Sequence, residues 1–169
     1  MKLTILAVAM LALSSCVANA TVTKNMEVLF TESDEQAWCL AQNIYYEARG
    51  SNLADQAAVA DVVLNRVKDT RYPNTVCEVV KQGEKHANGQ MKRNRCQFSW
   101  YCDGKSDYPT NREAWAKAQE TAYMILYLDQ YRGITEGATH YHADYVKPRW
   151  ARQLSLVGRI GDHVYYRWK

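Results

Sequence analysis

The sequence predicts an α+β domain with a mainly helical core and a small β portion, and three observations carry that prediction. Three capped segments space their apolar residues by three and four; the stretch from Gly83 to Gly104 loses that period; Gly137 to Val146 and Leu154 to Trp168 alternate apolar or aromatic residues with polar ones. A chain of 169 residues has the size of one ordinary domain and can bury a real core without a metal to hold it.

Taken in order, residues 1–20 stand apart. Lys2, the apolar run from Leu3 to Leu13 and the small residues ending in Ala18-Asn19-Ala20 follow the order of a secretory signal, and the run is shorter than an ordinary membrane span. Cleavage after Ala20 is the expected outcome. Leu13-Ser14-Ser15-Cys16 also resembles a lipoprotein box, which would put a lipid on Cys16. A third fate is an uncleaved signal anchor that associates with the membrane transiently and later releases. Residues 21–33 lack a period and read as a linker, and 34–169 read as the folded domain. Removing the leader, whose one charge is Lys2, takes the formal charge from +3 to +2. That balance gives no nucleic-acid or polybasic membrane footprint, so the expectation is an exported monomer of the periplasm or cell envelope.

Ser33 with Gln36 forms a capping-box pattern, and Gly50 sits where a left-handed C-cap residue belongs, so the first helix runs between them. Ala37, Leu40, Ala41, Ile44 and Ala48 share one side of it. Asn52 caps a second helix from Leu53 to about Lys68, with Leu53, Ala57, Ala60, Leu64 and Val67 as its apolar stripe. Arg71-Tyr72-Pro73-Asn74 is a turn, and Thr75 to Lys81 a short helix or extended piece. Gly83 to Gly104 reads as a long loop. Asn111 caps a third helix, from Arg112 to about Arg132, which turns Trp115, Ala118, Ala122, Ile125 and Leu126 inward and ends at Gly133. The final alternating segments read as short strands.

Within this frame Glu47 lies on the flank of the first helix, bordering the core. A carboxyl against apolar surface has its charged form disfavoured, so it can keep a proton at neutral pH and serve as a general acid. The competing reading is a structural ion pair with Arg49 or a distant arginine. Acid chemistry on a glycosidic bond commonly needs a second carboxylate, yet no spacing singles out one of Asp55, Asp61, Asp103, Asp107, Asp144 or Asp162. One acid suffices where the substrate supplies its own nucleophile, as when a muramic acid C6 hydroxyl attacks its own anomeric carbon.

Twelve Tyr and five Trp provide faces on which sugar rings stack. Trp38, Trp115, Tyr123 and Tyr127 are read as helix residues of the core or surface, and Tyr45, Tyr101, Tyr141 and Tyr145 as better ligand contacts. His140, His142 and His163 raise a zinc reading, which would suit an amidase or peptidase, but no H-E-x-x-H or comparable acid spacing accompanies them. The expectation is therefore no metal and no cofactor. Without Cys16 the cysteines are Cys39, Cys77, Cys96 and Cys102. An even count in an exported chain points to two disulfides and away from a Cys39 nucleophile. Cys96 with Cys102 closes a short loop, which leaves Cys39 with Cys77 by elimination.

With these residues laid out, the chain resembles the SleB-type cell wall hydrolases, named after a spore-cortex-lytic enzyme. The stretches that carry the likeness are WCLAQNIYYEARG from Trp38 to Gly50, QAAVADVVLNRV from Gln56 to Val67 and YPNTVC from Tyr72 to Cys77. CQFSW from Cys96 to Trp100 with Cys102-Asp103-Gly104, GATHYH from Gly137 to His142 and IGDHVY from Ile160 to Tyr165 complete it. The resemblance implies a lysozyme-like fold whose β portion lines a sugar-binding groove. It also implies a peptidoglycan glycosidase acting on glycan strands, in particular a lytic transglycosylase. It places the catalytic role on Glu47 and the groove lining on Gln97 and Phe98, and it suggests Tyr141, His142 and His163 for the cleft or its support. The separate repeat-type wall-binding module of the spore enzymes is not expected in this chain. A phage endolysin for host lysis or a wall-remodelling enzyme fits better than a spore-cortex role. A non-catalytic wall-binding module is the alternative outside enzymology.

Overall fold

The computed structural model describes residues 34–169. The expected leader, the lipid-bearing Cys16 and the 21–33 linker lie outside the described residues. Four helices, α1 (Glu35–Ala48), α2 (Leu53–Lys68), α3 (Val76–Val80) and α4 (Arg112–Tyr127), pack with α1 touching the other three. A hairpin of β1 (Gly83–Lys85) and β2 (Met91–Cys96) precedes a 3-10 turn at Ser99–Cys102. A three-stranded antiparallel sheet of β3 (His140–Ala143), β4 (Ser155–Ile160) and β5 (His163–Arg167) has the order β3-β5-β4, with a second 3-10 turn at Arg149–Gln153.

Helix α1 starts one residue later than the capping box suggests. Asp34, not Ser33, is the N-cap and accepts from the Ala37 backbone N–H. Its C-terminus follows expectation, with Gly50 at φ +93°, a conformation that a residue bearing a Cβ adopts at a cost. Ala37, Leu40, Ala41, Ile44 and Ala48 are all buried. Trp38 meets Trp115 of α4 edge to face, with ring centroids 4.8 Å apart. Each such pair adds about 0.5–1.5 kcal/mol beyond its area.

Helix α2 keeps its expected bounds, and Asn52 caps it by accepting from Asp55 N. Its buried side keeps Ala57 and Ala60 of the predicted stripe, with Leu64 and Val67 half-buried, but reaches well beyond it. Leu53 is 42% exposed, whereas Val59, Val62, Val63, Asp55, Asp61 and Arg66 are buried. The helix is enclosed almost all round because residues 132–139 lie along its polar side. Asp61 accepts from the backbone N–H groups of Gly133 and Thr135 and from the Thr135 hydroxyl, and it pairs with Arg132. Asn65 donates to Ala138 O at 2.9 Å and Arg66 Nε to Thr139 O at 2.8 Å. That strap delivers the chain into β3.

Two further expectations change. The stretch from Gly83 to Gly104 is a hairpin and a turn rather than a long loop, since Gly83 pairs with Cys96 and Lys85 with Met91. Helix α4 stops at Tyr127, and the chain then reverses through positive-φ residues at Asp129 and Tyr131. The disulfides Cys39–Cys77 and Cys96–Cys102 are both present. The first fastens α1 to α3, and the second closes the span from β2 to the 3-10 turn.

The sheet seats on α2 through Tyr165, which packs with Ala58, Val62 and Ala138 and is flanked by Tyr141, Val157 and Ile160. Antiparallel pairing of Tyr141 with Tyr165 and of Ala143 with His163 places these four on the inner face. Gly161 and Asp162 make the two-residue turn from β4 to β5. Gly161, at φ +56°, comes so close to Asp55 that a Cβ there would lie 2.5 Å from the aspartate Cβ.

Candidate active site

The last turn of α1, the inner face of the sheet and the strapped side of α2 converge on Glu47. Tyr141 Oη donates to Glu47 Oε2 at 3.0 Å. Burial pushes the Glu47 carboxyl above the usual carboxylate range, against the Tyr141 hydrogen bond and the nearby His163 and Arg66, which pull it down. Desolvation wins, so the acid form is more favoured than in an ordinary glutamate. Burial and the neighbouring Glu47 also raise the Tyr141 hydroxyl well above its ordinary range, so it remains a proton donor to the carboxylate across the working pH range.

Beneath this pair lies a buried carboxylate. Asp55 Oδ1 accepts from His163 Nδ1 at 2.9 Å and from Tyr165 Oη at 3.1 Å, while Oδ2 accepts from Asp162 N at 3.3 Å. It occupies the first turn of α2, where the helix dipole favours an anion. Burial works against its ionisation, but the His163 bond and charge and the other donors hold its pKa below the ordinary value. His163 in turn sets its ring against Tyr141, centroids 5.0 Å apart. Asp55 therefore orients the ring that backs the Glu47 partner, and its oxygens are engaged inside the fold.

The other predicted site residues divide clearly. Phe98 is 3% exposed and lies 5.2 Å from the Arg66 guanidinium, which the Tyr72 ring flanks at 5.4 Å. It packs in the interior against that cation. Gln97 is exposed beside it, its backbone N–H bonded to Gln82 O. Tyr101 lines a cleft of about 560 Å³ whose far wall includes Glu35, at the opposite end of α1 from Glu47. Twelve helical residues separate the two ends, roughly 18 Å of rise.

Two expected contacts are corrected. Tyr45 is 2% exposed, and its hydroxyl accepts from Arg49 Nη1 and from the backbone N–H groups of Thr110 and Asn111. It joins α1 to the start of α4 and has no surface to offer a sugar. His142 lies on the outer face of the sheet, one residue out of phase with Tyr141. Its Nδ1 donates to Ala143 O and its Nε2 accepts from Tyr166 Oη, which occupies both ring nitrogens. The same alternation separates His140 and His142 from His163, so the three do not assemble into a zinc site. Among the described residues, the one cluster with metal-ligand spacing is Glu35, Cys39 and Cys77, and its sulfurs are joined as a disulfide.

Sequence reasoning missed Arg66 and the supporting role of Asp55. The available signal was a helix apolar on nearly every side with Asp55, Asp61 and Arg66 set into it, since polar residues in such a helix are buried and partnered.

Residues 50–166 match the family described as Cell Wall Hydrolase. The match begins three residues after Glu47. Spore cortex-lytic enzymes are among the similar curated proteins. That of Halalkalibacterium halodurans is 28% identical over 149 residues, covering 86% of this chain and 39% of the relative. That of Bacillus subtilis is 27% identical over 147 residues, covering 85% and 41%. The chain thus spans about two fifths of the length of these relatives. Among solved structures, it resembles the catalytic domain of the germination-specific lytic transglycosylase SleB from Bacillus anthracis. The TM-score is 0.59 at 27% identity, over 82% of this chain and 98% of that one. The catalytic domain of the Bacillus cereus SleB protein gives a TM-score of 0.56, also at 27% identity, over 79% and 91%. The fold is that lysozyme-like α+β architecture.

Proposed function

The chain belongs to the Cell Wall Hydrolase family, and on that premise we propose that it cleaves the bond between N-acetylmuramic acid and N-acetylglucosamine in peptidoglycan, as a lytic transglycosylase. The observation that carries this reading is the Glu47 carboxyl, desolvated and held by Tyr141 where helix and sheet meet. Because Oε2 accepts the Tyr141 proton, the acid's own proton sits on Oε1. Glu47 gives that proton to the glycosidic oxygen as the bond to the muramic acid C1 breaks. The C6 hydroxyl of the same sugar closes onto C1, and the Glu47 carboxylate takes the hydroxyl proton. The products are a 1,6-anhydro end and a free N-acetylglucosamine 4-hydroxyl. No water is consumed, and the acid is regenerated.

The engagement of Asp55 and Asp61 inside the fold favours this single-acid route over hydrolysis, which calls for a second carboxylate beside the scissile bond. Two disulfides suit an oxidising compartment, which supports action in the periplasm or cell envelope after export through the N-terminal segment. Host lysis by a phage enzyme and wall remodelling by a bacterial one both fit this chemistry.

Glu47→Gln keeps the shape and removes the acid. Turnover of purified peptidoglycan should fall by roughly 10³-fold. Mass spectrometry of wild-type products should give anhydro-muramic ends. Near wild-type turnover by the variant would sink the assignment of Glu47, and reducing ends in place of anhydro ends would replace the transglycosylase with a hydrolase.

A further inference from the structure

Arg66 is a buried cation that the reaction above does not use. It is 5% exposed, and among the described residues no carboxylate forms an ion pair with it. Its Nε donates to Thr139 O, its guanidinium carbon lies over the rings of Phe98 and Tyr72, and its Nη1 is buried without a hydrogen-bond partner. Burying a guanidinium on these terms is costly unless some state of the protein supplies the missing negative charge. The backbone it grips supplies the clue: Thr139 leads directly into β3, and two residues later Tyr141 holds Glu47.

We propose that Arg66 is a positioning residue of the proton-transfer cycle, the fixed counter-charge for the Glu47 carboxylate between donation of its proton to the leaving oxygen and recovery of a proton from the attacking hydroxyl. This rests on the single-acid reading of Glu47. A general acid needs a desolvated carboxyl, but the same desolvation penalises the anion left behind when the proton departs. A cation already in place, held by a carbonyl and two rings, lowers that penalty without reorganising. The groups facing Glu47 are Tyr141 from β3, His163 from β5 and Arg66 from α2. Those around Arg66 are Glu47, Tyr141, Tyr72 and His140. Burial raises the Tyr141 hydroxyl well above its ordinary range, so it stays neutral, and burial first lowers the His140 pKa to about 4, so that ring is neutral too. Arg66 is therefore the permanent positive charge in the set.

The test compares Arg66→Gln, which removes the charge and keeps an N–H for Thr139 O, with Arg66→Lys, which keeps the charge. In Arg66→Gln the alkaline limb of the kcat profile on purified peptidoglycan should move up by about one pH unit, a tenfold change in proton concentration. kcat should fall about tenfold while KM holds, and Arg66→Lys should return the limb toward wild type. A folded Arg66→Gln protein with the wild-type limb would overturn the proposal. A second measurement does not depend on how that variant folds: the Arg66 Nε–H resonance, followed by NMR through a pH titration. It should shift with the ionisation of Glu47 in the wild type and stay flat in Glu47→Gln. Identical curves in the two proteins would also overturn the proposal. Were Glu47→Gln still active, the function would fail while the resonance still reported whether the two charges are coupled.

Discussion

The two faces of the three-stranded sheet are built from alternate residues of the same strands and do opposite things. The inner face carries Tyr141, His163 and Tyr165, whose polar atoms reach Glu47 and Asp55 in the helical layer. The outer face carries His140, His142 and Tyr166, which close among themselves and Trp150. His142 stacks on Tyr166 with centroids 5.3 Å apart, and Trp150 meets both edge on. Composition does not separate the faces, because each holds histidine and tyrosine. The separation comes from what lies opposite: a carboxylate on the inside, other aromatics on the outside. A histidine-tyrosine cluster acquires chemistry only where the fold brings it to an acid.

The largest effect should come from removing the inner carboxylate. Asp55→Asn leaves a buried histidine and tyrosine with a weakened acceptor and should cost about 3–5 kcal/mol in urea unfolding. Tyr166→Phe, its outer counterpart, removes one half-buried hydrogen bond and should cost about 1 kcal/mol. Equal losses would erase the distinction between the faces.

A smaller effect should appear in the pH profile. The Tyr141 hydrogen bond favours the ionised Glu47, so Tyr141→Phe should raise the Glu47 pKa further. The acid then stays protonated to higher pH, and the alkaline limb of kcat/KM should climb by about one unit. His142→Gln, from the outer face, should leave the limb where it is. Superimposable limbs for Tyr141→Phe and wild type would contradict the geometry at Glu47.

At neutral pH the smallest effect belongs to His140, which acts only on the acid side. Burial first, and then the charges of Arg66 and Arg71, lower its pKa from 6.5 to about 4. Its folded value lies below its unfolded one, so the unfolded chain binds more protons between these limits. The stability tied to neutral His140 is complete above pH 6.5 and drains away as the pH falls toward 4. Thermal midpoints across that window should decline more steeply for wild type than for His140→Gln. Parallel declines would show that other groups set the acid sensitivity.

Much of this was legible in the sequence. Caps at Asn52 and Asn111 mark helix starts because a short polar side chain is worth most where backbone N–H groups lack partners. Alternation found the three strands of the larger sheet, though not the β1–β2 hairpin, and it also held the answer for His142. Grouping Tyr141, His142 and His163 by motif overlooked that neighbours on a strand point apart. Tyr45 was likewise readable as core, since it follows Ala41 by four residues and precedes Ala48 by three on the buried side of α1. The environment of Arg66 was not readable. Its partners Thr139 and Phe98 lie far along the chain, and no local period announces a strap from residues 132–139 across a helix. The same holds for Asp55, whose donors come from β5, more than one hundred residues later.

The glycine at the β4–β5 turn has a practical consequence. Hairpin tips ordinarily accept tags, insertions and new termini. At Gly161 the backbone rests on Asp55, so added atoms push the tip outward and draw His163 and Tyr165 off the carboxylate that anchors them. The tip of the β1–β2 hairpin is the reverse: Gly89, kept as glycine by its φ of +84°, is exposed, and nothing lies within 4 Å of where a Cβ would stand. A reporter group or a grafted binding peptide belongs there, and the outwardly similar turn at Gly161 should be left untouched.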